Sequence, residues 1–91
     1  MIALQVSLYP VGQKDIDLAL NAFWAMLEEQ NVDYKVTPLS TVCWGEDDKE
    51  LYDAVFTAYQ KARVLGQAVM VTTLATGKDE DIGKLLDFLP G

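Results

Sequence analysis

Apolar and polar residues alternate strictly over the first stretch of the chain. Ile2, Leu4, Val6 and Leu8 fall on one side, and Ala3, Gln5, Ser7 and Tyr9 on the other. A period of two predicts a strand over residues 2–10 with one face on a core, stopped by the turn Pro10-Val11-Gly12. The second face is the informative one. A solvated sheet face ordinarily carries Lys, Glu or Thr; here Gln5, Ser7 and Tyr9 offer an amide, a hydroxyl and a phenol. Such a row suits a ligand site, and equally a polar sheet surface or a subunit interface.

The period then changes. Ile16, Leu20, Phe23 and Leu27 recur at helical spacing, with Ala19 and Trp24 widening the stripe, so a helix is predicted over 15–30. Asp15 and Asp17 suit its start, where carboxylates meet free amides and the positive end of the helix dipole. Trp24, at the stripe's margin, reads as core edge or subunit contact. A second strand, 32–36, is interrupted by Thr37-Pro38, which places it at an edge. A third, 39–44, closes a hairpin. Its parity is open: Leu39, Thr41 and Cys43 share one face, Ser40, Val42 and Trp44 the other.

Gly45 opens a turn into a second helix running to residue 65, and Asp47 with Glu50 resembles a capping box. This helix carries two apolar stripes. Leu51, Val55, Ala58, Ala62 and Leu65 suffice for packing on a sheet; Tyr52, Phe56 and Tyr59 are a surplus that suits the C-terminal tail or another subunit. Gly66 is expected to cap the helix. Residues 68–74, rich in Val and Thr, form the fourth strand, and 75–79 a loop. Ile82, Leu85, Leu86 and Leu89 then predict a short amphipathic helix stopped by Pro90-Gly91.

The order strand, helix, strand, strand, helix, strand defines an α+β, ferredoxin-like βαββαβ sandwich with a short C-terminal helix, one domain over 1–91. Two helices cover one face of a four-stranded antiparallel sheet, the first and third strands lie in the middle, and the opposite face is left bare. Composition agrees: 51% of the residues are hydrophobic, enough for a packed core, and a chain of 91 residues often gains stability by self-association.

Charge and absences then narrow the chemistry. The net charge of −7, from 14 acids and 7 bases, argues against a nucleic-acid partner and favours a cationic ligand over an anionic one. No apolar run has the length of a membrane span, and residue 2 already begins a strand where a leader would need a basic start, so no membrane partner and a cytoplasmic location are expected. The chain has no His, and its single Cys43 between Val42 and Trp44 lacks an activating base. The acids Glu46-Asp47-Asp48 read as a dipole-stabilised helix start, and the glycines do not stand in phosphate-loop spacing. An enzyme, a metal site and a bound cofactor are therefore not expected.

The run Ala3-Leu4-Gln5-Val6-Ser7-Leu8-Tyr9-Pro10 followed by Gly12 resembles the YkoF-like thiamine-binding family. So do the helix start Asp15-Ile16, the hairpin Ser40-Thr41-Val42 with Gly45, and the strand Val69-Met70-Val71-Thr72-Thr73. The chain departs at Trp44, where some relatives carry an acid before the hairpin glycine. The resemblance implies protomers that assemble through their sheets into dimers or tetramers. It also implies binding of thiamine, or its hydroxymethylpyrimidine moiety, without catalysis, for vitamin salvage, transport or sensing. An aminopyrimidine needs donors and acceptors in its plane, which Gln5, Ser7, Thr41 or Thr72 can supply, and a wall for its faces, for which Tyr9 and Trp44 are candidates. An aromatic plate also favours the cationic thiazolium ring by about 1 kcal/mol. With Ser40, the expected ligand-binding set is Gln5, Ser7, Tyr9, Ser40, Thr41, Trp44 and Thr72. The competing reading is an interaction module that oligomerises through its open sheet face and takes no small molecule.

Overall fold

The computed structural model describes residues 1–38, 40–64 and 66–88. The elements run β1 (Ile2–Tyr9), α1 (Ile16–Glu29), β2 (Asp33–Val36), β3 (Thr41–Gly45), α2 (Asp48–Ala62), β4 (Val69–Thr76) and α3 (Asp79–Phe88). The sheet is antiparallel in the order β2-β3-β1-β4, the ferredoxin-like arrangement with the first and third strands central.

The period-two alternation of β1 does what it predicts. Ile2, Leu4 and Val6 are buried beneath the helices and pack with Phe23 and Leu27 of α1, Cys43 of β3, and Leu51, Val55, Ala58 and Ala62 of α2. Each fully buried side chain of the Val, Leu, Ile or Phe class contributes about 1.5–3 kcal/mol relative to exposure. The first stripe of α2 is therefore the core stripe. On α1 the buried residues are Ala19, Phe23 and Leu27, whereas Ile16, expected in the stripe, is 54% exposed.

Helix boundaries follow from local chemistry. Asp15 Oδ1 accepts from the Leu18 amide at 3.0 Å and Asp47 Oδ1 from that of Glu50 at 3.0 Å, each satisfying a donor that has no partner within the helix. Asn31, with φ of 59°, takes the left-handed conformation that reverses the chain into β2. The end of α2 differs from expectation. Its cap is Arg63, and Leu65 lies outside the described residues. Gly66 is needed for another reason: a Cβ there would stand 2.7 Å from Gln13 Cγ. Gln13 in turn donates through Nε2 to the carbonyls of Ala62 at 3.0 Å and Gln67 at 3.1 Å, stapling the loop after β1 to the end of α2.

The sheet and its second face also depart from expectation. β3 begins at Thr41, with Leu39 outside the described residues. β4 runs on to Thr76 because it pairs with β1 along its whole length, from Tyr9↔Val69 to Ile2↔Thr76. α3 begins three residues before Ile82 and ends at Phe88; Leu89 lies outside the described residues. The opposite face is not bare. α3 lies across its lower half, so that Ala3 and Val42 are buried on the side away from α1 and α2, and Ile82 is only 2% exposed. The N-terminal ammonium fixes the start of α3 through Asp79 at 3.2 Å and the Gly77 carbonyl at 3.1 Å. The second stripe of α2 does not meet α3: Tyr52 and Phe56 stay exposed, while Tyr59 is half-buried and its hydroxyl donates to the Ala68 carbonyl at 2.8 Å.

Candidate functional site

Residues directly opposite in an antiparallel ladder point to the same face. The register therefore assigns every strand side chain. Gln5 lies opposite Val42 of β3 and Thr73 of β4, Ser7 opposite Val71, Tyr9 opposite Val69, and Ala3 opposite Trp44 and Ala75. These form the open face together with Ser40, whose hydroxyl accepts from Gln5 Nε2 at 3.1 Å. Ser40 is bound into the hairpin: its amide donates to Thr37 Oγ1 at 3.0 Å and its hydroxyl lies 3.0 Å from the same atom. Gln5 is thus aimed by a chain of hydrogen bonds that crosses from β1 to the hairpin.

Four expected residues are brought together: Gln5, Ser7, Tyr9 and Ser40. Thr41 and Thr72 are not. Thr41 faces the helices, 6% exposed, and its hydroxyl accepts from the Trp24 indole at 2.9 Å, which makes Trp24 a core-edge residue. Thr72 lies opposite Val6 on the same helix face. Trp44 lies on the open face opposite Ala3, at the other end of the row from Tyr9. Ala3 stands six residues along β1 from Tyr9, about 20 Å of backbone at about 3.4 Å per residue. No single small ring meets both aromatic side chains.

Sequence reasoning missed the wall that α3 supplies. Between α3 and the sheet lies a cavity of about 180 Å³ with Ala3, Val42, Leu85 and Leu86 as apolar lining and Gln5 and Thr73 as polar groups. Mostly apolar walls with a few convergent polar groups are the ordinary composition of a small-molecule pocket, although this one is smaller than most. Above the cavity Ser7, Tyr9, Val71 and Val69 continue the face uncovered, with Tyr9 53% and Val71 52% exposed. Thr73 had a signal in the sequence only as one of two equivalent parities in a β-branched strand; pairing with Gln5 selects it.

Cys43 is fully buried under the helices, and burial pushes its thiol from 9.0 up to about 12. It is not a nucleophile at neutral pH. Below pH 9 folded and unfolded chains both keep this proton. Between pH 9 and 12 the unfolded chain releases it and the folded chain does not, so stability falls as pH rises, by at most about 1.4 kcal/mol per pH unit. In denaturant titrations across that range Cys43→Ala is expected to flatten the decline; an unchanged slope would show that the thiol is not its source. Tyr34 is likewise raised, by partial burial first and by Glu28 second, its hydroxyl lying 3.4 Å from Glu28 Oε2. Among the described residues no helix is long and apolar enough to cross a membrane.

No family model and no curated protein matches this sequence. Solved structures do. The chain is similar to protein SP2199 of Streptococcus pneumoniae, with a TM-score of 0.79, 23% identity, and coverage of 94% of this chain and 97% of that one. It is similar to a DUF77 domain of unknown function from Bacillus cereus, with a TM-score of 0.73, 20% identity, and coverage of 86% and 77%. It is also similar to TM0486 of Thermotoga maritima, called a "putative thiamine biosynthesis/salvage protein", with a TM-score of 0.73, 14% identity, and coverage of 92% and 97%. At these identities the likeness establishes the shared ferredoxin-like fold.

Proposed function

We propose that this protein binds thiamine, or its hydroxymethylpyrimidine moiety, without catalysis, serving vitamin salvage, transport or sensing as a dimer or tetramer. The observation that carries the reading is the uncharged polar row Gln5, Ser7 and Tyr9, with Ser40 beside it, leading into the cavity under α3. The fold shared with a thiamine-related neighbour supports it. In this reading the aminopyrimidine enters between α3 and the sheet. Gln5 and Thr73 meet its polar edge, and Ala3, Val42, Leu85 and Leu86 meet its faces. The thiazolium ring, joined by one methylene, then lies toward Ser7, with Tyr9 farther along the same row.

Nothing in this arrangement asks for bond making. The residues gathered there are an amide, hydroxyls, a phenol and hydrocarbon, groups that hold a heterocycle by hydrogen bonds and apolar contact. Thermal unfolding with and without thiamine tests the reading. Ligand at about 100 times its dissociation constant, bound only to the folded chain, adds about 2.7 kcal/mol, a rise of several degrees for a domain of this size. A rise with thiamine but not with an unrelated cation of similar size is expected; no shift at millimolar thiamine would favour the interaction module.

A further inference from the structure

Acids are unevenly placed along the chain. None precedes Asp15, and none lies between Asp53 and Asp79. The second of these acid-free stretches holds Lys61, Lys78 and Arg63, the only arginine of the chain. Folding brings the two stretches together, because Gln13 of the first donates to the carbonyls of Ala62 and Gln67 in the second. Between them opens a cavity of about 370 Å³. Its walls are Val11, Ala68, Val69 and Tyr59, and its polar side chains are Arg63 and Gln67. The volume falls within the ordinary range of small-molecule sites, roughly 300–1,000 Å³.

Arg63 is held in place there without a counter-ion. Its guanidinium carbon lies 5.4 Å from the centre of the Tyr59 ring, and that ring is fixed in turn by its hydroxyl's bond to the Ala68 carbonyl at 2.8 Å. Stacking occupies the flat face of a guanidinium and leaves its in-plane N–H donors free. Yet among the described residues no carboxylate forms an ion pair with Arg63. Asp53, the nearest acid on α2, stands about 15 Å along the axis at about 1.5 Å per residue and is paired with Lys49 at 2.8 Å. Charges farther apart than about 8 Å are largely screened at physiological salt, so the net −7 of the whole chain does not set the sign here. Asp15 and Asp17 begin α1, where Asp15 is engaged by the Leu18 amide. The carbonyls of Tyr59, Lys61, Ala62 and Arg63, at the negative end of the α2 dipole, each already accept a hydrogen bond.

We propose that this cavity binds a small organic monocarboxylate, its carboxylate forked on Arg63 and its hydrocarbon body against Val11, Ala68 and Val69. One guanidinium matches one carboxylate through two parallel N–H···O bonds. A phosphate group, carrying more charge, is ordinarily met by several donors such as the amides of a helix N-terminus. The helix end at this cavity is a C-terminus. Val11 and Val69 are 56% and 50% exposed, which leaves apolar surface beside the cation for a hydrocarbon body to cover. The site is separate from the cavity under α3, and the proposal does not depend on the thiamine reading.

Titration of the protein with phenylacetate, followed in amide NMR spectra, tests it. Saturable shifts are expected at Val11, Arg63, Gln67 and Val69, together with the Arg63 side-chain N–H. Phenylacetamide, the same body without the charge, is expected to bind at least about tenfold more weakly. Arg63→Gln is expected to weaken phenylacetate by a similar factor while keeping its helical circular dichroism and any thiamine-induced rise in unfolding temperature. Arg63→Lys, which keeps the charge but not the fork, is expected to fall between the two. Four results would each overturn the proposal: no saturable shift at millimolar phenylacetate, equal binding of phenylacetamide, wild-type affinity in Arg63→Gln, or displacement of phenylacetate by inorganic phosphate at lower concentration. Phenylacetate binding without any thiamine response would count against the thiamine reading alone.

Discussion

Gln5→Leu combined with Ser7→Ala is expected to abolish the thiamine-induced rise in unfolding temperature while the ligand-free protein still unfolds cooperatively. The reasoning is one of asymmetry. Gln5 is exposed and Ser7 only half-buried, so neither supports the core beneath them. Without ligand, the double variant gives up the hydrogen bond from Gln5 to Ser40, worth about 1 kcal/mol, or several degrees at most. A bound aminopyrimidine would suffer more. Its polar edge would face the hydrocarbon of the introduced leucine, leaving donors and acceptors desolvated without partners, at about 1–3 kcal/mol for each. The whole stabilisation of about 2.7 kcal/mol at a hundredfold excess would then disappear. The measurement is each protein's midpoint with ligand minus its own midpoint without. A wild-type difference in the double variant would remove Gln5 and Ser7 from the site.

Ile82→Ala is expected to cost about 2–5 kcal/mol, limited by the free energy with which α3 docks on the sheet. Ile82 is the one fully buried side chain of α3 among the described residues, and it lies against Gly77, where an added Cβ would be 3.6 Å from its Cδ1. Ion pairs from the N-terminal ammonium to Glu46 and Asp79 help at the start of the helix, but both acids are exposed, so they contribute little. Removing the anchor should release α3 and uncover Ala3 and Val42. Hydrogen exchange would read this as faster α3 amides, with the β1–β4 ladder keeping its protection. Leu85→Ala, at an exposed position, is expected to change stability by less than about 0.5 kcal/mol. Unchanged exchange in α3 of the Ile82→Ala variant would mean that the helix is held by something else. If α3 forms the wall of the ligand cavity, the same variant also binds thiamine more weakly.

The strands and helices were legible because their periods are strong. Ile2, Leu4, Val6 and Leu8 could only be a strand facing a core, and the acids Asp15 and Asp47 announced the two helix starts that they cap. Parity was not legible where both faces are equally plausible. In β3, Thr41 with Cys43 and Val42 with Trp44 offer similar polarity, and only the pairings Leu4↔Cys43 and Gln5↔Val42 decide which pair meets the helices. The same holds for Thr72 and Thr73, adjacent residues of one type on opposite faces. The apolar stripe of α3 was visible, but its destination was not. An amphipathic helix states that it must cover something, and the sheet offered two sides.

What the sequence determined, then, was the inventory of elements, the buried face of β1 and the uncharged polar row opposite it, because periodicity and composition are local properties. Tertiary structure alone decided which residues join that row. It removed Thr41 and Thr72 to the helix face and set Trp44 opposite Ala3, at the other end of the row from Tyr9. It added Thr73, Val42, Leu85 and Leu86. The physical reason is register: a side chain's face depends on which residue stands opposite it, and that pairing is fixed by the packing of the whole sheet rather than by neighbours in the chain.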